Sequence, residues 1–179
     1  MALWCEQAWL AEGWRNNVRL SLDKGRISSI ETGVDAGPDD ERHAILLPAL
    51  PNLHSHAFQR GMAGLAERAG DSDDSFWTWR EVMYRFVDRL DPEGMAAIAA
   101  LAFAEMLESG FARVGEFHYL HHDVDGRPYD DVGAMARAIS AAAGETGIEL
   151  TLLPGFYAHS GFGGAAPTHG QRRFLNDLD

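Results

Sequence analysis

Apolar and polar positions alternate along the first third of the chain and then change period. Ala2 to Leu10 is strand-like and Glu12-Gly13 marks a turn. Val18-Arg19-Leu20-Ser21-Leu22 alternates with period two, and Asp23-Lys24-Gly25-Arg26 is a hairpin signal before Ile27 to Ile30. These segments predict a small antiparallel meander over residues 1–46, with the polar, glycine-containing stretch Thr32 to Arg42 as a linker. An apolar run from Leu46 to His56 reads as one strand. From Ser75 to Leu90 the apolar residues Phe76, Trp79, Met83, Phe86 and Leu90 recur at three- and four-residue steps, which is a helical stripe.

Asp91-Pro92-Glu93 predicts the start of a second helix, with Asp as N-cap and Pro in the first helical position; Ser109-Gly110 closes it near Leu107. Ala112 to Phe117 is a short strand, about Asp131 to Ala143 a helix, and Ile148 to Leu153 a strand. Thr168 and Gln171 form a capping box for a further helix from Gln171 to the chain end at Asp179. Alternating strands and helices are the grammar of parallel βαβ units. The predicted organisation is a partial small β-domain over 1–46 and, over 47–179, the first three β/α units of an incomplete barrel. A closed barrel takes eight such strands and about 250 residues, so the chain reads as the N-terminal part of a longer protein.

The strand-like run ends in His54-Ser55-His56. Side chains on a strand alternate between faces, so His54 and His56 project together while Ser55 points away. Two imidazoles converging on one point suit a divalent metal such as zinc. With 8 histidines in 179 residues, chance supplies about 0.35 such pairs, so the strand context carries the argument. Other candidates follow the later strands: Glu116, His118, Tyr119, His121, His122 and Asp123 after the second, Tyr157, His159 and Ser160 after the third. Barrel enzymes place their catalytic loops at such strand ends. The plainer readings are a salt bridge for Glu116 and a solvated loop for His121 to Asp123. In Phe76-Trp77-Thr78-Trp79-Arg80, two Trp and an Arg would suit a pocket wall, but Phe76 and Trp79 fit the core stripe, and core duty is the expectation for both.

Composition narrows the classes. The chain is 46% hydrophobic and 23% charged, with a formal charge of -12 and a mean hydropathy of -0.22. Nothing near 18 consecutive apolar residues occurs, and the N-terminus lacks a basic region before an apolar one, so neither a membrane span nor a secretory signal is expected. The single cysteine, Cys5, suits a reducing compartment and a packing role, and the expected location is the cytoplasm. The acidic balance argues against nucleic acid as a partner. A small anionic ligand remains compatible where arginines dominate a pocket locally.

The segments Asn52-Leu53-His54-Ser55-His56-Ala57-Phe58-Gln59-Arg60, Ser75-Phe76-Trp77-Thr78-Trp79-Arg80 and Glu116-Phe117-His118-Tyr119-Leu120-His121-His122 together resemble the amidohydrolase superfamily and, within it, the formimidoylglutamate deiminases of histidine degradation. The resemblance implies an α/β fold: the N-terminal portion of a TIM-type (β/α)8 amidohydrolase barrel, preceded by strands of a small β-sandwich domain. It implies one zinc ion with His54 and His56 as its first two ligands, and Gln59, Arg80 and Tyr119 as substrate-binding residues. The other ligands and the proton-transfer groups are expected beyond residue 179, none of the catalytic residues being within the chain. The implied reaction is hydrolysis of N-formimino-L-glutamate to N-formyl-L-glutamate and ammonia. The partners expected are a small molecule with two carboxylates and, for the complete protein, a second copy in a homodimer. The alternatives are another amidohydrolase, of aromatic deaminase or chlorohydrolase type, and a non-catalytic truncated module. Alone, the chain is expected to be inactive and to associate.

Overall fold

Two compact units divide the chain, Met1–Ala49 and Leu50–Asp179. The computed structural model describes residues 1–65 and 76–177, without the side chain of Trp77. Ser75, expected at the head of the first helix, and the last two residues of the expected C-terminal helix lie outside the described residues.

The first unit is a four-stranded sheet of β1 (Ala2–Leu10), β2 (Gly13–Asp23), β3 (Arg26–Thr32) and β4 (Glu41–Leu46), in the order β3-β2-β1-β4. The β2–β3 turn takes positive φ at Lys24 (49°) and Gly25 (75°), the backbone that matches the right-handed twist of a tight hairpin. Cys5, Ala8, Val18 and Leu20 form its buried core, the Cys5 thiol donating to the Val18 carbonyl at 3.5 Å.

Two expectations are corrected here. β4 runs parallel to β1, so the sheet is mixed rather than an antiparallel meander. The stretch from Thr32 to Arg42 is not a linker but an anchored crossing. Trp4 Nε1 donates to the Val34 carbonyl at 2.8 Å, and the Arg19 guanidinium grips both oxygens of Asp40, at 2.9 Å from Nε and 2.9 Å from Nη2. That bond holds the Asp40 carboxyl below the usual carboxylate range.

The second unit holds three parallel strands, β5 (Leu50–Ser55), β6 (Phe111–His118) and β7 (Glu149–Pro154), in that spatial order. The apolar run of Leu46 to His56 is therefore divided between two sheets, with Pro48 in the break, where its missing N–H cannot serve a ladder. Gly115 lets β5 and β6 approach: a Cβ there would lie 3.1 Å from the Leu53 carbonyl oxygen. The helices are α1 (Phe76–Val87), α2 (Pro92–Glu108) and α3 (Ala134–Thr146). α2 begins as its sequence predicts, with Asp91 Oδ1 accepting the Gly94 N–H at 2.7 Å. α3 ends on Gly147 at φ 83°, a left-handed cap. Met95, Ala99 and Phe103 of α2 and Met135, Ile139 and Ala142 of α3 pack in one core with Val114 and Leu120.

The capping box at Thr168 and Gln171 is present, but among the described residues it opens a 3-10 turn of three residues, His169–Gln171, and not a continuing helix. The chain is drawn inward instead. Arg173 is fully buried, donating to the carbonyls of Val87, Leu90 and His122. Phe174 is 4% exposed, and Leu175 makes an isolated bridge with Tyr157.

Candidate active site

At the end of β5 the imidazoles of His54 and His56 meet, their Nε2 atoms 3.1 Å apart and their rings edge-on at 88°, while Ser55 between them is buried. Strand alternation produces this convergence. β6 then fixes both rings. The Phe117 ring stacks on His54 at a centroid distance of 4.3 Å, and the Phe117 carbonyl lies 2.9 Å from His56 Nδ1. A carbonyl can only accept, so Nδ1 carries the hydrogen and Nε2 of His56 presents its lone pair towards His54. Two imidazole nitrogens at about 2.05 Å from one tetrahedral zinc lie about 3.3 Å apart, so the observed spacing fits a shared ion. Among the described residues, no group of three or more His, Cys, Asp or Glu side chains gathers around a metal position, so the pair supplies part of a ligand set.

Next to the pair sits Glu116 on β6, 1% exposed. Its Oε1 accepts the Ala57 N–H at 2.7 Å, and among the described residues its buried Oε2 has no hydrogen-bond partner of ordinary geometry. Burial pushes its pKa up, against the Ser55 hydroxyl, the Ala57 N–H and His54, which favour the ionised form. The expected salt bridge gives way to this bond with the backbone.

A cavity of about 410 Å³ opens beside His56. Gln59, on the 3-10 helix Ala57–Met62, forms one wall with Tyr119, whose hydroxyl accepts from Gln59 Nε2 at 3.2 Å. Burial raises the Tyr119 pKa to about 12, so the phenol stays protonated at neutral pH. α1 contributes Phe76, Trp79, Arg80, Met83 and Tyr84 to the opposite side. Arg80 Nε donates to the Tyr84 hydroxyl at 2.5 Å, and its guanidinium carbon lies 5.4 Å from the Tyr84 ring centroid. The structure thus brings His56, Gln59, Arg80 and Tyr119 around one space. Arg80 brings a guanidinium to this lining.

Core duty for the aromatic pair is corrected in part. Phe76 is 62% exposed and, stacked on Trp79 at 5.9 Å, faces the cavity, while Trp79 also packs against the core. Sequence reasoning missed Tyr84, Gln171 and Phe174 as lining residues. Tyr84 sits four residues after Arg80, a spacing that signals a shared helix face; Gln171 was read for its capping box alone.

The histidines after β6 serve the backbone. His121 Nε2 contacts the Gly155 carbonyl at 2.8 Å and His122 Nε2 the Leu175 carbonyl at 2.5 Å. They pin their loop, which is half-buried rather than solvated. His118 is 3% exposed, and burial with the neighbouring His121 lowers its pKa to about 4. Tyr157 reaches the cavity rim, His159 is exposed, and Ser160 hydrogen-bonds the Ala165 carbonyl.

Parallel strands with interleaved helices and a converging histidine pair at the first strand end define an amidohydrolase-type α/β chain, and solved structures agree. An amidohydrolase from Brucella melitensis matches with 60% identity and a TM-score of 0.93 over 98% of this chain and 39% of that one. The fold alone is shared with an atrazine chlorohydrolase from Arthrobacter aurescens TC1 complexed with zinc, at 16% identity and a TM-score of 0.64 over 89% of this chain and 36% of that one. Residues 1–44 match the family described as Formimidoylglutamate deiminase HutF, N-terminal domain. A curated formimidoylglutamate deiminase of Pseudomonas aeruginosa is 52% identical over 98% of this chain and 39% of its own length. The chain is therefore similar to a formimidoylglutamate deiminase over nearly all its length, and its first 44 residues match that family's N-terminal domain. It spans about two fifths of the curated relative it matches.

Proposed function

We propose that the full-length protein is a cytoplasmic, zinc-dependent formimidoylglutamate deiminase that hydrolyses N-formimino-L-glutamate to N-formyl-L-glutamate and ammonia. The observation that carries the reading is the convergence of Nε2 of His54 and His56 beside a cavity lined by Gln59, Arg80 and Tyr119. The similarity to deiminases supports the reaction class.

His54 and His56 would hold the ion, with Nδ1 of His56 fixed on the Phe117 carbonyl so that Nε2 is free to ligate. When bound, zinc supplies Lewis acidity and a water acidified towards neutral pH. Arg80 binds a substrate carboxylate through its planar fork, pre-set by the hydrogen bond of Nε to Tyr84. Tyr119, kept protonated by burial, and the Gln59 amide next to it donate hydrogen bonds that orient the substrate. Phe76 and Trp79 give the cavity an apolar wall.

The test is ammonia release from N-formimino-L-glutamate by the zinc-loaded, full-length protein, beside guanine and a chlorotriazine. Turnover of the formimino compound with neither ring substrate is expected. Preferential turnover of a ring substrate would move the protein to the aromatic deaminases or chlorohydrolases, and no turnover of any would make it a non-catalytic module.

A further inference from the structure

Two consecutive residues of β6 grip the histidine segment, and the reaction gives one of them no part. Phe117 orients the two rings. Glu116, beside it, reaches the backbone: the strand register sets it opposite Ser55, and its Oε1 accepts the N–H of Ala57 at 2.7 Å. Ala57 is the first residue of the 3-10 helix Ala57–Met62, and His56 is the residue at its N-cap position, with φ -131° and ψ 80° and no capping hydrogen bond from its own side chain. A helix start leaves N–H groups without intrahelical partners. Here the neighbouring strand satisfies one of them, at the peptide that joins His56 to the helix.

A carboxylate 1% exposed is costly to bury. What it holds at that cost is the turn in which the second imidazole sits. The direction of the His56 side chain follows from the peptides on either side of it, and a ligand pair must be held to within about 0.5 Å for an ion to bind well.

We propose that Glu116 is a positioning residue for the His54–His56 pair, its carboxylate anchoring the Ala57 amide on β6 so that the two Nε2 atoms stay converged. This rests on the reading that the pair holds zinc. The role belongs to hydrogen-bond acceptance, not to negative charge, and that distinction makes it testable. Gln at this position keeps a carbonyl oxygen that can accept from Ala57; Leu does not. The same bond can be removed from the donor side by Ala57→Pro, which takes away the N–H and sets a ring methylene in its place, so that the Glu116 carboxylate is displaced as well as unpaired.

The experiment measures zinc dissociation constants of the full-length protein by chelator competition, with thermal melting alongside. Loss of an orienting partner of a metal ligand weakens affinity about 10- to 100-fold, so E116L and A57P should each weaken zinc binding by that factor. E116Q should stay within about threefold of the parent, and E116L/A57P should bind no more weakly than E116L, since both remove one bond. Unchanged zinc affinity in E116L overturns the proposal, as does a loss in E116Q equal to that in E116L. Where E116L does not fold, A57P compared with E116Q decides: parental affinity in A57P overturns the proposal. A parent that binds zinc tightly while these variants match it fails the Glu116 assignment alone. A parent that binds no zinc fails the reading of the histidine pair first, and this one with it.

Discussion

Nδ1 of His56 lies 2.9 Å from the carbonyl oxygen of Phe117, a residue 61 positions along the chain whose ring also stacks on His54. One β6 residue therefore sets the tautomer of one imidazole and the plane of the other. If the pair ligates zinc, removing either ring removes a ligand that its partner cannot replace. His54→Ala and His56→Ala in the full-length protein are expected to lose most bound metal, measured by plasma emission on dialysed samples. Stoichiometric zinc in both variants would sink the assignment.

Arg80 is held by Tyr84, whose hydroxyl accepts its Nε–H, and Tyr84 is in turn backed by Gly170, where a Cβ would fall 2.5 Å from the ring. Arg80→Lys keeps the charge and loses the planar fork. The expected loss is about 1.5–3 kcal/mol, or about ten- to a hundredfold in kcat/KM, with metal content unchanged. Gly170→Ala displaces the Tyr84 ring, and through it the guanidinium, so a smaller loss of the same kind is expected. Steady-state kinetics on N-formimino-L-glutamate checks both; parental kinetics in Arg80→Lys would assign Arg80 to structure.

The elements legible in the sequence were those fixed by local chemistry. Asp91-Pro92 starts α2 because a side-chain cap and a preset φ act within one turn, and the shared face of His54 and His56 follows from strand geometry alone. What escaped depended on distant partners. β4 carries Glu41, Arg42 and His43 on an exposed edge, so it shows no apolar alternation. Its parallel pairing with β1 follows a crossing tied down by Trp4 and Arg19 from other strands. Gln171 and Phe174 reach the cavity because Arg173 folds inward onto Val87 and Leu90, more than 80 positions earlier. No local pattern announces a buried arginine.

His118 makes stability depend on pH. Its folded pKa of about 4 lies below the ordinary 6.5, so between those values the unfolded chain binds a proton that the folded chain refuses. Stability from this group is complete above about pH 6.5 and falls as pH drops towards 4, by at most about 3 kcal/mol. The neighbouring His121, also lowered by burial, acts in the same direction. His118→Gln should flatten part of the fall, so urea midpoints at pH 7.5 and 4.5 should differ less in the variant than in the parent. Equal differences would show that His118 charges as readily folded as unfolded.

Arg173 links the segment after β7 to the end of α1. Its guanidinium donates to the carbonyls of Val87, Leu90 and His122, the last two at 2.8 Å, and to the Tyr129 hydroxyl at 3.3 Å, with the side chain fully buried. Burial pushes its pKa down, while Tyr129 and the nearby Asp123 and Asp88 work against that shift. The Val87 carbonyl, at the last residue of α1, already accepts the Leu90 N–H at 3.1 Å, and the arginine adds a second donor to it while also serving the Leu90 and His122 carbonyls. Arg173→Met keeps much of the volume and takes the guanidinium from the carbonyls of Leu90 and His122, a cost of about 2 kcal/mol or more. Lysine offers a single ammonium that cannot reach acceptors on two segments at once, so Arg173→Lys should recover less than half of that loss. Because α1 carries Arg80 and Tyr84, both variants should also lower kcat/KM while the histidine pair keeps its metal. Urea unfolding at neutral pH measures the first effect and kinetics the second. A stability within about 0.5 kcal/mol of the parent in Arg173→Met would show that water replaces the guanidinium at these carbonyls and that α1 ends independently of it.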